Sequence, residues 1–364
     1  MTGGTGTRYV RFGWVDSDDR ASLDEALTGP ARLTHAAPCW FAVDGDGRLG
    51  TRPRVAPAAH AGWVDSLRRS GVAVLPAVVN RDGDGSTVGD LVGRDEPRAR
   101  AVKALERLCR DGGFDGITLA FRGAFPEARD AFSAFVEELA WTLHTAGARL
   151  ALAVPPQVRE PSAEAAPDPV ADPEGWLAAC AASFDYRALS VYADLFIIDT
   201  RDFPRRPAIE RGDTGPVVRW APGTVAPDGW LQTVLDHALL HVPARDLVLT
   251  LPLYGRAWAA GAGAVPGAAG SRAVPLRDVD GLLAAAAAVE DQPDRAGGGR
   301  VVRWSDASGR SWLLYADDPA SLAAKAGLVA RYDLGGAAFW RLGFGCPEAW
   351  AAVDRGLTAL RRPV

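Results

Sequence analysis

The stretch FDGITLAFRGAFPEARDAFSAFVEELAWTLHTAGARLALAVPP, residues 114–156, decides the fold of this chain. Its two short apolar runs, 117–121 and 150–155, are typical of strands that are buried on both faces. The segment between them, 127–146, has apolar residues three and four positions apart, which is the pattern of an amphipathic helix. A strand, a helix and a second strand in this order predict a parallel βαβ unit.

The same alternation runs along the whole chain. Helix-like stretches occur at 61–69, 96–111, 127–146, 173–182, 228–241 and 347–361, and eight strand-like runs occur at 9–15, 33–43, 72–80, 117–121, 150–155, 195–200, 247–253 and 335–342. Eight strands alternating with helices predict an α/β chain folded as a (β/α)8 TIM barrel. The alternative is a doubly wound open sheet, which would usually carry a glycine-rich phosphate turn after its first strand. No such turn follows 9–15.

One interval, between the seventh and eighth runs, is about twice as long as the others. It contains a Gly/Ala/Pro-rich segment, 259–275, and two further strand-like pieces, 300–304 and 311–315. A small α+β insertion domain explains this length. We therefore expect the barrel to comprise residues 1–258 and 326–364, and the insertion to comprise 259–325.

Composition excludes several classes of partner. The chain has 364 residues with 40 Lys+Arg and 45 Asp+Glu, a formal net charge of −5, so a nucleic-acid partner is not expected. No apolar run approaches the ~20 residues of a membrane span. The first residues lack the apolar core of a signal peptide, and a cytoplasmic location is expected. We predict no metal site and no cofactor; the oligomeric state stays open.

In barrels of this kind, the active site lies at the carboxyl ends of the strands. The side chains that come at or just after the ends of the apolar runs are therefore the candidates. They include Asp16, Trp40, Arg122, Asp199, Arg201, Asp202, Tyr254, Trp258 and Trp340.

Several of these strand ends carry a likeness to a known family. FDGITLAFR (114–122), FDYRALSVYADLFIIDTRD (184–202), LVLTLPLYGRAW (247–258) and AAFWRLG (337–343) stand where the family has its strands four, six, seven and eight. On these motifs the chain resembles glycoside hydrolase family 18, the chitinase-like barrels. Within that family it is most similar to the bacterial branch of spore-cortex glycosidases. The resemblance implies a barrel that binds an oligosaccharide or another small molecule.

The chain departs from the family's strand-four signature, Asp-Gly-x-Asp-x-Asp-x-Glu. Its inner positions are Thr118, Ala120 and Arg122. In the family, the Glu protonates the leaving oxygen and the last Asp orients the substrate's N-acetyl group. A guanidinium stays charged at neutral pH, so it cannot serve as a general acid. The resemblance therefore implies a degenerate catalytic signature and no hydrolysis by the family's mechanism.

Other family positions are partly kept. Arg201 stands at the position of the family's strand-six Tyr, whereas the family's residue type is kept at four positions, Asp202, Tyr254, Trp258 and Trp340. In the family, the tryptophan at the strand-eight position stacks under the sugar at the cleavage point. The frame of the pocket is thus expected to persist around altered chemistry.

Three hypotheses follow for the function. In the first, the barrel is repurposed to bind a small molecule and to catalyse a non-hydrolytic step on it. Arg122 and Arg201 suggest that this molecule is an anion. The step would be isomerisation, elimination or cyclisation, for example in natural-product biosynthesis. Asp199 or Asp202 would move a proton, and Trp340 would supply the floor. In the second, the protein is a non-catalytic carbohydrate-binding lectin. In the third, it is a hydrolase with relocated acids. The arginines could instead form only structural salt bridges with Asp199 or Asp202.

Overall fold

The computed structural model describes residues 9–16, 19–29, 31–52, 61–160, 167–168, 171–202, 207–212, 215–220, 223–260, 271–286, 288–295 and 297–359. Eight parallel strands close into a barrel, because each strand pairs with the next and the eighth pairs with the first. The second and third strands are each made of two pieces. In order, the strands are Val10–Val15, His35–Pro38 with Phe41–Val43, Ala73–Val74 with Ala77–Asn80, Gly116–Leu119, Arg149–Val154, Leu195–Ile198, Leu247–Pro252 and Gly336–Trp340. The predicted α/β barrel is confirmed.

Helices cover the outside of this barrel. They are Arg20–Thr28, Ala61–Arg69, Val88–Gly93, Asp95–Gly112, Arg129–Thr145, Pro173–Ala182, Tyr186–Ser190, Asp228–Ala238, Pro319–Arg331 and Pro347–Thr358. Local sequence sets their ends. Asp318 accepts hydrogen bonds from the backbone of Ala320 and Ser321, and Pro319 occupies the first helical position. Gly113 ends its helix in the left-handed conformation, with φ of 61°. None of the helices in the described ranges is long and apolar enough to cross a membrane.

Two layers of apolar side chains form the core of the barrel. The larger layer lies between the strands and the helices. The smaller one fills the inside of the barrel and is rich in alanine, with Phe12 and Trp14 as its largest members. Ala120 and Ala153 belong to this inner layer and also border the cavity described below. Small side chains near the carboxyl ends of the strands therefore leave the barrel open on that side.

A second, antiparallel sheet lies between the seventh and eighth barrel strands. The sheet has five strands. Together with helix Leu276–Ala284 it forms an apolar cluster that is separate from the barrel core. In sheet order the strands are Arg272–Pro275, Tyr254–Ala260, Ser311–Ala316, Arg300–Ser305 and Ala288–Pro293. The sheet starts at Tyr254, five residues before the expected boundary at 259, because strand Leu247–Pro252 leads almost directly into it. Residues 261–270 of the expected insertion lie outside the described part.

The far boundary of the insertion also differs from the expected one, at 325. Helix Pro319–Arg331 begins inside the predicted range and extends beyond it, and it packs most extensively against Pro347–Thr358, a barrel helix. Two hairpins decorate the barrel as well. Leu49–Thr51 pairs with the second strand, and Pro207–Gly212 pairs with Gly215–Trp220 after the sixth. The sequence patterns above predict neither hairpin.

A buried histidine lies at the amino-terminal end of the barrel. Arg149 Nη1 donates to His35 Nε2 at 3.1 Å, so the proton of the neutral ring is on Nδ1, 2.8 Å from Thr34 Oγ1. The ring also stacks on Phe12. Burial, together with the charge of Arg149, lowers the pKa of His35 from 6.5 to about 4. The folded barrel thus holds this imidazole neutral.

We expect this histidine to make folding stability depend on pH. Between pH 6.5 and about 4 the unfolded chain binds a proton that folded His35 does not. Stability contributed by the neutral ring is therefore full above pH 6.5 and is lost as the pH falls, by up to about 3 kcal/mol. Urea unfolding at several pH values should show a flatter pH dependence for His35→Gln than for the wild type. The surface variant His144→Gln should keep the wild-type slope, and equal slopes for all three proteins would contradict the assignment.

Candidate functional site

A cavity of about 720 Å³ opens at the carboxyl ends of the barrel strands. Its wall combines one residue of the first strand with the segments that follow the fourth, fifth and sixth strands. Helix Pro173–Ala182 and one residue of helix Asp228–Ala238 complete it. The lining includes Trp14, Ala120, Phe121, Arg122, Ala153, Gln157, Glu160, Cys180, Phe184, Asp199, Arg201, Asp202 and Trp230. Asp199, Arg201 and Asp202, which follow the sixth strand, therefore lie along one cavity with Arg122, which follows the fourth.

Asp199 and Arg201 form a two-pronged ion pair in this cavity. Arg201 Nε donates to Asp199 Oδ1 at 2.5 Å, and Arg201 Nη2 donates to the other carboxylate oxygen. The guanidinium lies over the ring of Trp340, with its central carbon 3.6 Å from the ring centroid. Trp340 in turn contacts Trp14, with ring centroids 5.6 Å apart. One face of the proposed floor residue is therefore covered by a side chain of the protein itself.

This pairing sets the protonation of both groups. Burial alone would raise the pKa of Asp199, but the charge and the hydrogen bonds of Arg201 outweigh it and lower that pKa. Burial likewise acts against the charged form of Arg201, yet the Asp199 carboxylate raises the pKa of Arg201. Asp199 is thus held as a carboxylate whose oxygens are already occupied, which makes it a weak base.

Asp202 is held by two residues that follow the seventh barrel strand. Arg256 Nε donates to Asp202 Oδ1 at 2.5 Å, and the buried hydroxyl of Tyr254 also bonds to this carboxylate. Burial, with the negative charge of Asp202, raises the pKa of Tyr254, so its phenol stays protonated. Asp202 has φ of 57°, in the left-handed region that non-glycine residues rarely adopt. The hydrogen bonds to Arg256 and Tyr254 fix the carboxylate at the cavity wall.

Arg122 is positioned by its backbone. Asn80 accepts from the Arg122 amide at 2.8 Å and donates to the Arg122 carbonyl at 2.9 Å. The guanidinium borders the cavity and reaches solvent there, and within the described ranges it makes no hydrogen bond or ion pair. Enclosure by the protein and the like charge of Arg201 lower the pKa of Arg122. The result is a cation, anchored at its main chain, that faces the open space beside Ala120.

Three of the predicted ligand-binding residues lie elsewhere or are already engaged. Trp40 does not reach the site: it is fully buried and packs against Phe41, Trp63 and Phe114 in the layer beneath the helices. Trp258 lies buried in the insertion sheet, 6.1 Å from the ring of Tyr315. Asp16 lies beyond the first strand, in an ion pair with Arg341.

Other cavity residues were not predicted from the sequence. Trp14 lines the cavity from inside the first strand, and Gln157 follows the fifth strand. Gln157 donates to the carbonyls of Ala181 and Phe184, both at 2.8 Å, and so ties this loop to the neighbouring helix. The rule that selects residues after strand ends could have found Gln157. Trp230 comes from a helix, and no local signal marks it.

Comparisons with known proteins agree with this barrel fold. Residues 12–345 match the profile of the glycosyl hydrolases family 18. The chain belongs to this family. Its family 18 barrel is similar in sequence to the cortical fragment-lytic enzyme of Bacillus subtilis (strain 168), with 26% identity over 281 residues. That alignment covers 76% of this chain but only 57% of the Bacillus enzyme, so the chain spans little more than half of that relative.

Solved structures support the same family 18 fold. A chitinase from Chromobacterium violaceum superposes with a TM-score of 0.79 at 23% identity, covering 97% of this chain and all of that one. The spore cortex-lytic enzyme of Bacillus megaterium superposes with a TM-score of 0.77 at 19% identity. The superposition covers 99% of this chain and 77% of the Bacillus megaterium chain. The solved structures support the fold, and the sequence relative supports the likeness to the spore-cortex-glycosidase-like branch of the family.

Breaking the Asp199–Arg201 pair should destabilise the fold. The variant Arg201→Ala leaves Asp199 without its partner in a largely enclosed position. Since Asp199 keeps some solvent contact, with 28% of its side chain exposed, we expect a loss at the lower end of the about 3–5 kcal/mol for breaking a buried pair. Urea denaturation measures it.

Two further variants separate this effect from a general loss of packing. The double variant Arg201→Ala/Asp199→Ala should recover part of the lost stability, because it removes the unpaired charge. Arg20→Ala, which breaks an exposed pair with Asp24, should cost less than about 1 kcal/mol. A wild-type urea midpoint for Arg201→Ala would refute the structural role of the pair.

Proposed function

We propose that this family 18 barrel lacks the catalytic acid of its relatives, that it binds a small anionic molecule, and that it catalyses a non-hydrolytic step on it. One observation carries the proposal. The Arg122 guanidinium faces the cavity, and it forms no ion pair or hydrogen bond with the described residues, although the charge of Asp199 acts on it. A cation without an ion-pair partner in a concave site favours an anionic ligand.

The groups around Arg122 argue against hydrolysis by the family's mechanism. Arg122 itself cannot give up a proton at neutral pH, and the methyl group of Ala120 cannot orient an acetamide. Asp199 is ionised and bound by Arg201, so it is not a proton donor either. A positioned acid is worth about 10²–10⁴-fold in rate. Its loss would reduce glycosidase activity by at least that factor.

The two arginines have different roles in this proposal. The planar fork of Arg201 is occupied by Asp199, so Arg201 positions the cavity wall. The fork of Arg122 is open to solvent and has the geometry to bind a carboxylate or a phosphate through two hydrogen bonds. Arg122 is therefore the proposed anchor of the ligand anion.

Asp202 is the group that we propose to move a proton. It borders the cavity, and the Tyr254 phenol donates to it. Isomerisation, elimination and cyclisation each need a proton to be moved but no water to be added, which a single positioned carboxylate can do. In this scheme Tyr254 and Arg256 orient Asp202.

A second candidate function is carbohydrate binding without catalysis. Trp14 and Trp230 line the cavity, and aromatic rings suit the apolar faces of sugars. The relatives named above are a cortical fragment-lytic enzyme and a chitinase. Against this candidate, Arg201 covers one face of Trp340, the residue at which the family stacks its sugar. A hydrolase that uses Asp199 and Asp202 as relocated acids is the third alternative.

Two sugars that differ by one lactyl ether, which carries a carboxylate, can test the ligand class. N-acetylmuramic acid and N-acetylglucosamine share the acetamido sugar, and only the first carries an acid. Calorimetric titration should give tighter binding of N-acetylmuramic acid to the wild type. Arg122→Ala should weaken it by about 10–100-fold, the value of a charge-assisted hydrogen bond, and Arg122→Lys should weaken it less.

The exposed variant Arg187→Ala, outside the cavity lining, is the matched control and should bind like the wild type. Equal affinity of the wild type for both sugars, unchanged in Arg122→Ala, would reject the anion site. Binding of the neutral N-acetylglucosamine tetramer that Arg122→Ala leaves intact would favour the carbohydrate-binding candidate.

Hydrolysis itself is tested on chitin oligosaccharides and on cortex fragments. We expect no release of reducing sugar by the wild type, because no acid is positioned to protonate the leaving oxygen. Release that disappears in Asp202→Asn, in a variant shown to be folded by circular dichroism, would instead establish a hydrolase with relocated acids.

A further inference from the structure

Two histidines lie one helical turn apart outside the residues that line the cavity. His237 is near the end of helix Asp228–Ala238, and His241 comes four residues later, where the Val242 amide still bonds to the Ala238 carbonyl at 2.9 Å. Residues four apart in a helical turn share one face. The two rings accordingly meet, with centroids 5.1 Å apart. No metal site is predicted from the sequence above, yet this is the spacing of paired histidine ligands on a helix.

A carboxylate from a distant part of the chain completes the group. Glu160, in the loop after the fifth barrel strand, places Oε1 2.8 Å from His241 Nε2. One ligand atom from each of Glu160, His237 and His241 lies within 4.8 Å of the others. It is the one such group found among the described residues, and it joins two segments about 80 residues apart.

Three of the four ring nitrogens of these histidines make no hydrogen bond with the described residues, although the Glu160 carboxylate lies 2.8 Å from one of them. His237 is 7% exposed, and its Nε2 makes no hydrogen bond with the described residues. Neither nitrogen of His241 makes one either, since its contact with Glu160 is not in hydrogen-bond geometry. Burying polar nitrogens in this way costs free energy unless something binds them. A metal ion binds imidazole through these lone pairs.

We propose that Glu160, His237 and His241 form a site for a divalent transition-metal ion, Zn²⁺ by preference. Two imidazoles and one carboxylate are a known zinc donor set, with Zn–N distances of about 2.0–2.1 Å. Tetrahedral ligation at such distances needs ligand atoms about 3.4 Å apart. The ligand atoms here lie within 4.8 Å of one another and would have to move to that separation when the ion binds. The fourth position is left to water.

The consequence for the barrel is a tether. Glu160 also borders the cavity, whereas the histidines belong to the helix that precedes the seventh strand. A bound ion would fasten the loop after the fifth strand to this helix. The rim of the cavity would then be fixed by the metal.

Metal titration tests the site without any ligand or activity. Protein treated with EDTA and then freed of chelator is titrated with Zn²⁺ by calorimetry, and with Co²⁺ by visible absorption, which reports tetrahedral coordination. We expect one ion per chain, and a rise in the midpoint of thermal unfolding with Zn²⁺ because the ion binds the folded state. His241→Gln and Glu160→Gln should each weaken Zn²⁺ binding by at least about 10-fold.

His144→Gln is the matched control, because His144 is also next to a carboxylate, at 2.9 Å from Asp194, but belongs to another helix. It should bind Zn²⁺ like the wild type. Glu160 is largely exposed, so Glu160→Gln keeps the test valid even where histidine variants fold poorly. No stoichiometric Zn²⁺ binding by the wild type, or equal binding by the wild type and both site variants, would overturn the proposal. Neither result bears on the anion site at Arg122.

Discussion

Asp199 binds Arg201 through both carboxylate oxygens, and the guanidinium lies flat on Trp340. Three strand ends are thereby tied together, because Trp340 ends the eighth strand and touches Trp14 of the first. This arrangement determines which charged side chains in the cleft are already paired with each other. It takes Asp199 and Arg201 out of the chemistry, leaving Arg122 as one of the cations, and Asp202 as one of the carboxylates, that line the cavity. An electrostatic pattern of this kind suits a ligand that brings its own negative charge.

Sequence alone predicts the barrel, because strands buried on both faces and separated by helices have few other arrangements. The same rule predicts that Arg122, Asp199, Arg201 and Asp202 meet, since the carboxyl ends of parallel strands share one side of a barrel. What it cannot predict is the direction of each side chain. The second strand is interrupted between Pro38 and Phe41, so its alternation is broken and Trp40 turns outward into the helical layer.

The ion-pair partner of a charged residue is harder to predict from the sequence than the position of that residue in the barrel. Nothing in the local sequence shows that Asp202 bonds to Arg256, 54 residues later, rather than to Arg122. For the histidine pair, the spacing of His237 and His241 is visible in the sequence. The contact with Glu160 is tertiary and is not visible there. The antiparallel sheet begins at Tyr254 rather than at the expected 259, because residues 247–258 supply strands to two different sheets.

That shared run has a consequence for how this protein could evolve or be re-engineered. Tyr254 and Arg256 lie on a strand of the antiparallel sheet, yet they hold Asp202 at the barrel's cleft. The extra sheet is therefore not an interchangeable module that could be grafted or deleted at will. Shortening the chain to a minimal eight-stranded barrel would remove the scaffold of the reactive carboxylate along with the decoration. The outer strands of that sheet, Arg300–Ser305 and Ala288–Pro293, by contrast, contribute none of the described residues that line the cleft.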